Sequence, residues 1–315
     1  MTDGDRQWER LVIEKLANGA LAEQRRARRW GIFFKLLTFA YITWIIVLAV
    51  DWKGAEKAVG TQQHTAVVEI DGIIAPGADA SAERIGGALR AAFKDKGTQG
   101  VVLRINSPGG SPVQSQAIFD EIRRLRKLHP KVPLYAVVED VCASGGYYIA
   151  AAADRIYVSK SSIIGSIGVR MDGFGVTGLM EKLGVERRLL TAGDNKGMLD
   201  PFLPLDEKHK QYAVALMKEI HEQFIASVRE GRGTRLKETP ETFSGLIWSG
   251  QKSIEIGIAD ALGGVESVAR EVIKAETLVD FTQKESVAER LAKRFGAAAA
   301  TALAEFSLRA PTQFR

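Results

Sequence analysis

Between residues 65 and 160 the chain alternates between strand-like and helix-like hydrophobic patterns, and that alternation restricts its fold more than any other feature. TAVVEIDGII (65–74) has the β-branched content of a strand, SAERIGGALRAAFKD (81–95) has helical spacing, and VVLRINSPGG (101–110) reads as strand then turn. A helix over 112–128, the strand LYAVVEDV (134–141), the helix SGGYYIAAAA (144–153) and the strand RIYVSK (155–160) follow. Strands separated by helices pair in parallel through right-handed crossovers, so an α/β domain is expected. A longer helix over about 205–230 opens at Asp206, after PFLPL. His209 and His221 lie on it and read as solvated positions. At 315 residues and 46% hydrophobic, the chain has enough apolar surface for one large core plus extensions.

One extension is explicit. GIFFKLLTFAYITWIIVLAV (31–50) is apolar except for Lys35 and two threonines. At 1.5 Å per residue, about twenty such residues cross a bilayer core of about 30 Å, and Lys35 lies close enough to the basic end to reach the headgroups. A cleavable leader is the alternative. The run begins some thirty residues in, and no small-x-small site precedes Asp51, so an uncleaved transmembrane helix is expected. RRARR (25–29) precedes the run and few basic residues follow it, which places the N-terminus in the cytoplasm and the large domain outside. The expected organisation is a cytoplasmic segment (1–30), an anchor (31–50), a linker (51–63), a domain (64–274) and a C-terminal extension (275–315). The net charge of +5 is otherwise spread along the chain without a zinc-finger or RNP-like motif, so nucleic acid is not an expected partner. The single cysteine, Cys142, excludes an internal disulfide and a multi-cysteine metal site.

Chemistry concentrates in CASGGYY (142–148). Ser144 follows a strand and opens a helix, where backbone N–H groups are unpaired; a nucleophile fits there, and so does an ordinary N-cap. SPGG (107–110) ends the preceding strand with a turn that exposes amides, so Gly110 N–H and Gly145 N–H form a candidate oxyanion pair. None of the four histidines (64, 129, 209, 221) has a persuasive setting as the base, and position 142 breaks the G-x-S-x-G elbow. A lysine replaces histidine when its pKa falls from about 10.4 by about three units. Composition does not select which lysine.

RINSPGG, CASGGYYIAAAAD, GSIGV (165–169) and GDNKGMLDPF (193–202) occur in an order that closely resembles the S49 family of membrane-anchored serine peptidases, over about residues 65–270. The resemblance implies Ser144 as nucleophile, Lys196 as general base and Ser166 as the serine that orients the lysine, with Gly110 and Gly145 as oxyanion donors. It implies a ClpP/crotonase-like fold of stacked ββα units and a ring-shaped homo-oligomer with substrate grooves near subunit borders. It implies no metal or organic cofactor. The substrates it implies are remnant signal peptides or other short unfolded membrane-associated segments, cleaved on the outer face of a bacterial inner membrane. The competing readings are an S49 peptidase with a dedicated protein substrate, an acyl-CoA enzyme of the same fold, and an inert membrane scaffold.

Overall fold

A computed structural model describes residues 3–49 and 62–283. They fall into two units, residues 3–49 and residues 62–283. In the first unit, α1 (Asp3–Ala49) is a 47-residue helix. Its large apolar side chains from Trp30 to Trp44 are exposed, Phe39 at 72%. Thr38 and Thr43 donate their hydroxyls to the carbonyls of Phe34 and Phe39, both at 2.9 Å, so neither hydroxyl needs a partner outside the helix. Among the described residues no helix is long and apolar enough to cross a membrane, and the expected anchor 31–50 runs past them at its end. Most of the expected linker and residues 284–315 also lie outside the described residues.

The second unit is the expected α/β domain. In chain order it contains β1 (His64–Ile74), α2 (Ala82–Lys94), β2 (Thr98–Gly110), α3 (Pro112–Leu128), β3 (Leu134–Ala143), α4 (Gly145–Ala150) and β4 (Arg155–Val158). It continues with β5 (Ile163–Gly165), α5 (Thr177–Leu183), α6 (Glu207–Arg232), β6 (Ile247–Ser249), α7 (Gly250–Glu255), β7 (Ala261–Leu262), α8 (Val265–Ser267) and β8 (Leu278–Asp280). The strand order is β6-β5-β3-β2-β1-β8, with β4 paired to both β3 and β7. Every pair is parallel except β5 with β6.

The central strands are apolar on both faces because both are covered. Val68, Ile70, Leu103, Ile105, Ala136 and Val138 belong to the main core with residues of α2, α3 and α4. Val67, Val102, Val137 and Tyr157 face the other way, against Val265 and Val268. Helix α3 starts where the sequence indicates: Ser111 accepts from Gln114 N–H, and Pro112 occupies the first turn, where its missing donor costs nothing. β8 lies beyond the domain end expected at 274 and pairs with β1 at Thr65–Val67. Three residues are too few to show a strand period, which is why the sequence alone leaves it in the extension.

Two features position the end of β3. Strand β3 pairs with β4 along 135–138 and then with β5 along 141–143, and the Ser162 hydroxyl donates to the Glu139 carbonyl in the gap between them. Helix α6 is bound to α4: the Tyr148 and Phe224 rings stack at 4.7 Å, and the Tyr148 and Ser227 hydroxyls are 2.8 Å apart. Near the end of α6, Gly231 lies so close to the Ala151 carbonyl that any Cβ would overlap it. Gly231→Ala is therefore expected to cost about 1–3 kcal/mol as an overpacking change, read by denaturant titration.

Candidate active site

Ser144 sits at the junction of β3 and α4 with φ 52° and ψ −120°, a conformation that glycine tolerates and other residues adopt only when the surroundings enforce it. Its N–H donates to the Gly165 carbonyl at 2.8 Å and its C=O accepts from Tyr148 N–H at 2.9 Å, so the strained backbone is held from both sides. The side chain, half-buried, makes no capping hydrogen bond. That removes the N-cap role as the reason for a serine here. Cys142, two residues earlier, is fully buried, and burial pushes its thiol well above the usual range, so it remains protonated and inert.

The SPGG turn abuts this serine. Gly109 and Gly110 have φ +98° and +155°. A Cβ on Gly109 would lie 2.6 Å from Gly145 N and 2.8 Å from Ser144 Cβ. One on Gly145 would overlap the Ser115 hydroxyl and lie 3.2 Å from Gly110 N. The amides of Gly110 and Gly145, expected from sequence as a pair, are thus neighbours beside Ser144. On Gly110 a Cβ would strike the Ile74 carbonyl. Gly110→Ala is accordingly expected to lower kcat about 10²-fold by displacing that amide, measured as steady-state peptide hydrolysis on protein of unchanged circular dichroism.

Ser166 directly follows β5 as Ser144 directly follows β3, and the last residues of the two strands, Ala143 and Gly165, pair in register. It shares the same unusual φ of 52°, and its N–H donates to the Leu246 carbonyl at 2.7 Å. The segment is braced from both sides. The Trp248 ring covers Gly165, where a Cβ would come within 2.6 Å of it, and His221 Nε2–H donates to the Ile167 carbonyl at 3.0 Å. His221 is therefore a support of the GSIGV segment, not the solvated helix position expected of it. Its spacing from Phe224 and Val228 (i+3, i+7) on the buried stripe of α6 is the signal that identifies it.

Lys196 is placed differently. It lies in the segment between α5 and α6, exposed, with its N–H donating to the Gly193 carbonyl at 3.1 Å. Among the described residues no hydrogen bond or ion pair reaches its Nζ, and the contacts that gather Ser144, Gly110, Gly145 and Ser166 do not include it. Its neighbours Asp194 and Gly197 line a cavity of about 800 Å³ with Met171, Phe174, Leu189 and Met217. The surrounding segment is strongly apolar at its surface, with Leu190 96% and Phe174 86% exposed. The histidine of β1, His64, is buried and occupied by Thr98 and the Gln62 carbonyl. Among the described residues no group of three His, Cys, Asp or Glu side chains could hold a metal ion.

Among known proteins, the chain is 48% identical over 184 residues to a Brucella abortus protein named as a Na(+)/H(+) antiporter; the match covers 58% of this chain and 25% of that protein. It is 32% identical over 194 residues to an Enterococcus faecium protein carrying the name of a signal peptide peptidase, covering 62% of this chain and 56% of the relative. To a Synechocystis protein named as a protease it is 32% identical over 206 residues, covering 65% of this chain and 72% of the relative. The chain thus spans a quarter of the Brucella protein and little more than half of the Enterococcus one. A family model matches residues 126–279, which contain Ser144, Gly145, Ser166 and Lys196. With that match and a relative covered over most of its length, the chain belongs to peptidase family S49.

Proposed function

We propose that this chain is a membrane-anchored Ser-Lys endopeptidase that degrades remnant signal peptides or other short unfolded membrane-associated segments. The observation that carries the reading is Ser144 itself: a serine in a glycine-like conformation, its hydroxyl not used as a cap, with Gly110 N and Gly145 beside it. In the proposed reaction Lys196 Nζ takes the proton from Ser144 Oγ as that oxygen attacks the scissile carbonyl, and the amides of Gly110 and Gly145 hold the oxyanion. The lysine then gives the proton to the leaving amine. Water hydrolyses the acyl-enzyme by the same steps in reverse order, and Ser166 orients the lysine. The ClpP/crotonase-like arrangement belongs to this reading, supported by β3 changing partner from β4 to β5 beside the serine.

A ring-shaped homo-oligomer belongs to the same proposal. The apolar surface around Lys196 supports it, since a soluble monomer rarely leaves so much apolar side chain uncovered. The anchor is proposed from the sequence of residues 31–50 and the exposed apolar side chains of α1, with residues 1–30 in the cytoplasm and the peptidase domain outside the bacterial inner membrane. The name of the Enterococcus relative supports the substrate class.

Two experiments test the topology and the assembly. Protease added outside spheroplasts is expected to digest the domain and spare residues 1–30; the reverse pattern would overturn the orientation. Full-length Ser144→Ala and Lys196→Ala proteins, mixed under conditions that exchange subunits, are expected to recover peptide hydrolysis if the lysine of one copy serves the serine of another. Full activity in wild-type monomers isolated by size would remove the ring from the mechanism.

A further inference from the structure

We propose that Ser107 is a positioning residue whose hydroxyl fixes the Gly109–Gly110 turn against Ser144 and Gly145. The inference rests on the reading of Gly110 and Gly145 as oxyanion donors. Ser107 is completely buried in β2, and its Oγ is used twice. It donates to the Gly72 carbonyl at 2.5 Å and accepts from Gly109 N–H at 3.1 Å.

Gly72 and Ser107 lie at irregularities of the sheet, and Gly109 is where β2 comes back into register with β1, opposite Ile73. The β1/β2 register shifts between Asp71 and Ile73, and the β2/β3 register shifts between Ile105 and Ser107. At such irregularities the backbone ladder is interrupted and an unpaired donor or acceptor is left behind. One hydroxyl can satisfy a carbonyl and an amide together, because it both donates and accepts. The preceding residue, Asn106, bridges the same irregularities: its Nδ2 donates to Asp71 at 3.2 Å and its Oδ1 accepts from Val141 N–H at 3.3 Å.

Ser107 also touches the nucleophile's side of the site. A Cβ on Gly146 would lie 3.0 Å from the Ser107 carbonyl and 3.4 Å from its Cβ. A single buried side chain therefore ties the bulge of β1, the turn that carries Gly110 and the start of α4 into one arrangement. Without its hydroxyl, Gly109 N–H and the Gly72 carbonyl lose their shared partner, and the turn is free to rotate the Gly110 amide away from the oxyanion position.

The test compares full-length wild type, Ser107→Ala, Ser107→Cys and Ser144→Ala on a fluorogenic peptide rich in leucine and alanine. Ser107→Ala is expected to lower kcat about 10²-fold with KM changed less than about twofold, because only a transition-state contact is displaced. Ser107→Cys, which keeps a weak donor and acceptor, is expected to fall between the two. A wild-type kcat in Ser107→Ala would overturn the proposal, and so would a loss matching the unfolded fraction seen by near-UV circular dichroism. Hydrolysis by Ser144→Ala at the wild-type rate would instead overturn the reading of the site itself.

Discussion

Ser144→Ala is expected to reduce peptide hydrolysis by at least about 10³-fold without loss of fold, because the substitution removes one hydroxyl that bears no capping bond. Ser144→Gly is expected to be equally inactive and more stable than wild type. At φ 52° and ψ −120° a side chain stores about 1–3 kcal/mol of backbone strain, which glycine releases. Glycine returns some of this through the greater freedom of its unfolded chain, about 0.4–1 kcal/mol. A net gain of about 1 kcal/mol should appear as a higher thermal midpoint for Ser144→Gly than for Ser144→Ala. Backbone strain at a serine whose hydroxyl makes no capping bond is what a nucleophile tolerates and an N-cap serine has no need of. Equal midpoints for the two variants would show that the conformation is not strained.

The largest structural effect is expected at Arg232. Its guanidinium, 1% exposed, donates to both carboxylate oxygens of Asp260 at 2.7 and 2.9 Å and twice to the Gly257 carbonyl at 3.0 and 2.9 Å. Asp260 also accepts from Ile156 N–H at 2.7 Å, and the adjoining Ile258 carbonyl accepts from the Tyr147 hydroxyl at 2.9 Å. The pair thus joins the end of α6 to β4 and to α4, the helix that begins beside Ser144. Arg232→Ala leaves Asp260 without its main partner and is expected to cost about 3–5 kcal/mol in stability, read as a lower denaturant midpoint. Arg232→Met, which refills the space, should recover some of that loss unless Asp260 is left charged.

Acid should expose the same pair. Burial disfavours the Asp260 charge, but the hydrogen bonds and charge of Arg232 outweigh it and hold the carboxyl below its ordinary value of 3.8. A carboxyl with a depressed folded-state pKa adds stability that is complete above the ordinary value and is lost as pH falls below it. The stability difference between wild type and Arg232→Ala should therefore be full near neutrality and shrink below pH 3.8. A difference independent of pH would assign the effect to lost packing.

Much of this architecture is legible in the sequence. The alternating β-branched and helical runs locate β1, α2, β2, α3, β3 and α6, because each is long enough to show its period. The edge strands β6, β7 and β8, at two or three residues each, show none, and their pairing is set by tertiary contacts. In the site, the paired glycines and Ser144 stand out because small residues in an apolar run need a reason. Ser107 and Ser162 do not. Their roles come from hydrogen bonds to the carbonyls of Gly72 and Glu139, 35 and 23 residues away, which local spacing cannot reveal. Lys196 is identified through family resemblance alone, and its exposed position shows why composition does not select it.

The proposed pairing of Ser144 with Lys196 is tested by hydrolysis of a leucine- and alanine-rich fluorogenic peptide by full-length wild type and Lys196→Ala at matched assembly state. Turnover by wild type, with Lys196→Ala folded, assembled and inactive, is the predicted result. Equal turnover by the two proteins would contradict the Ser-Lys mechanism and return the search for a base to the other side chains around Ser144.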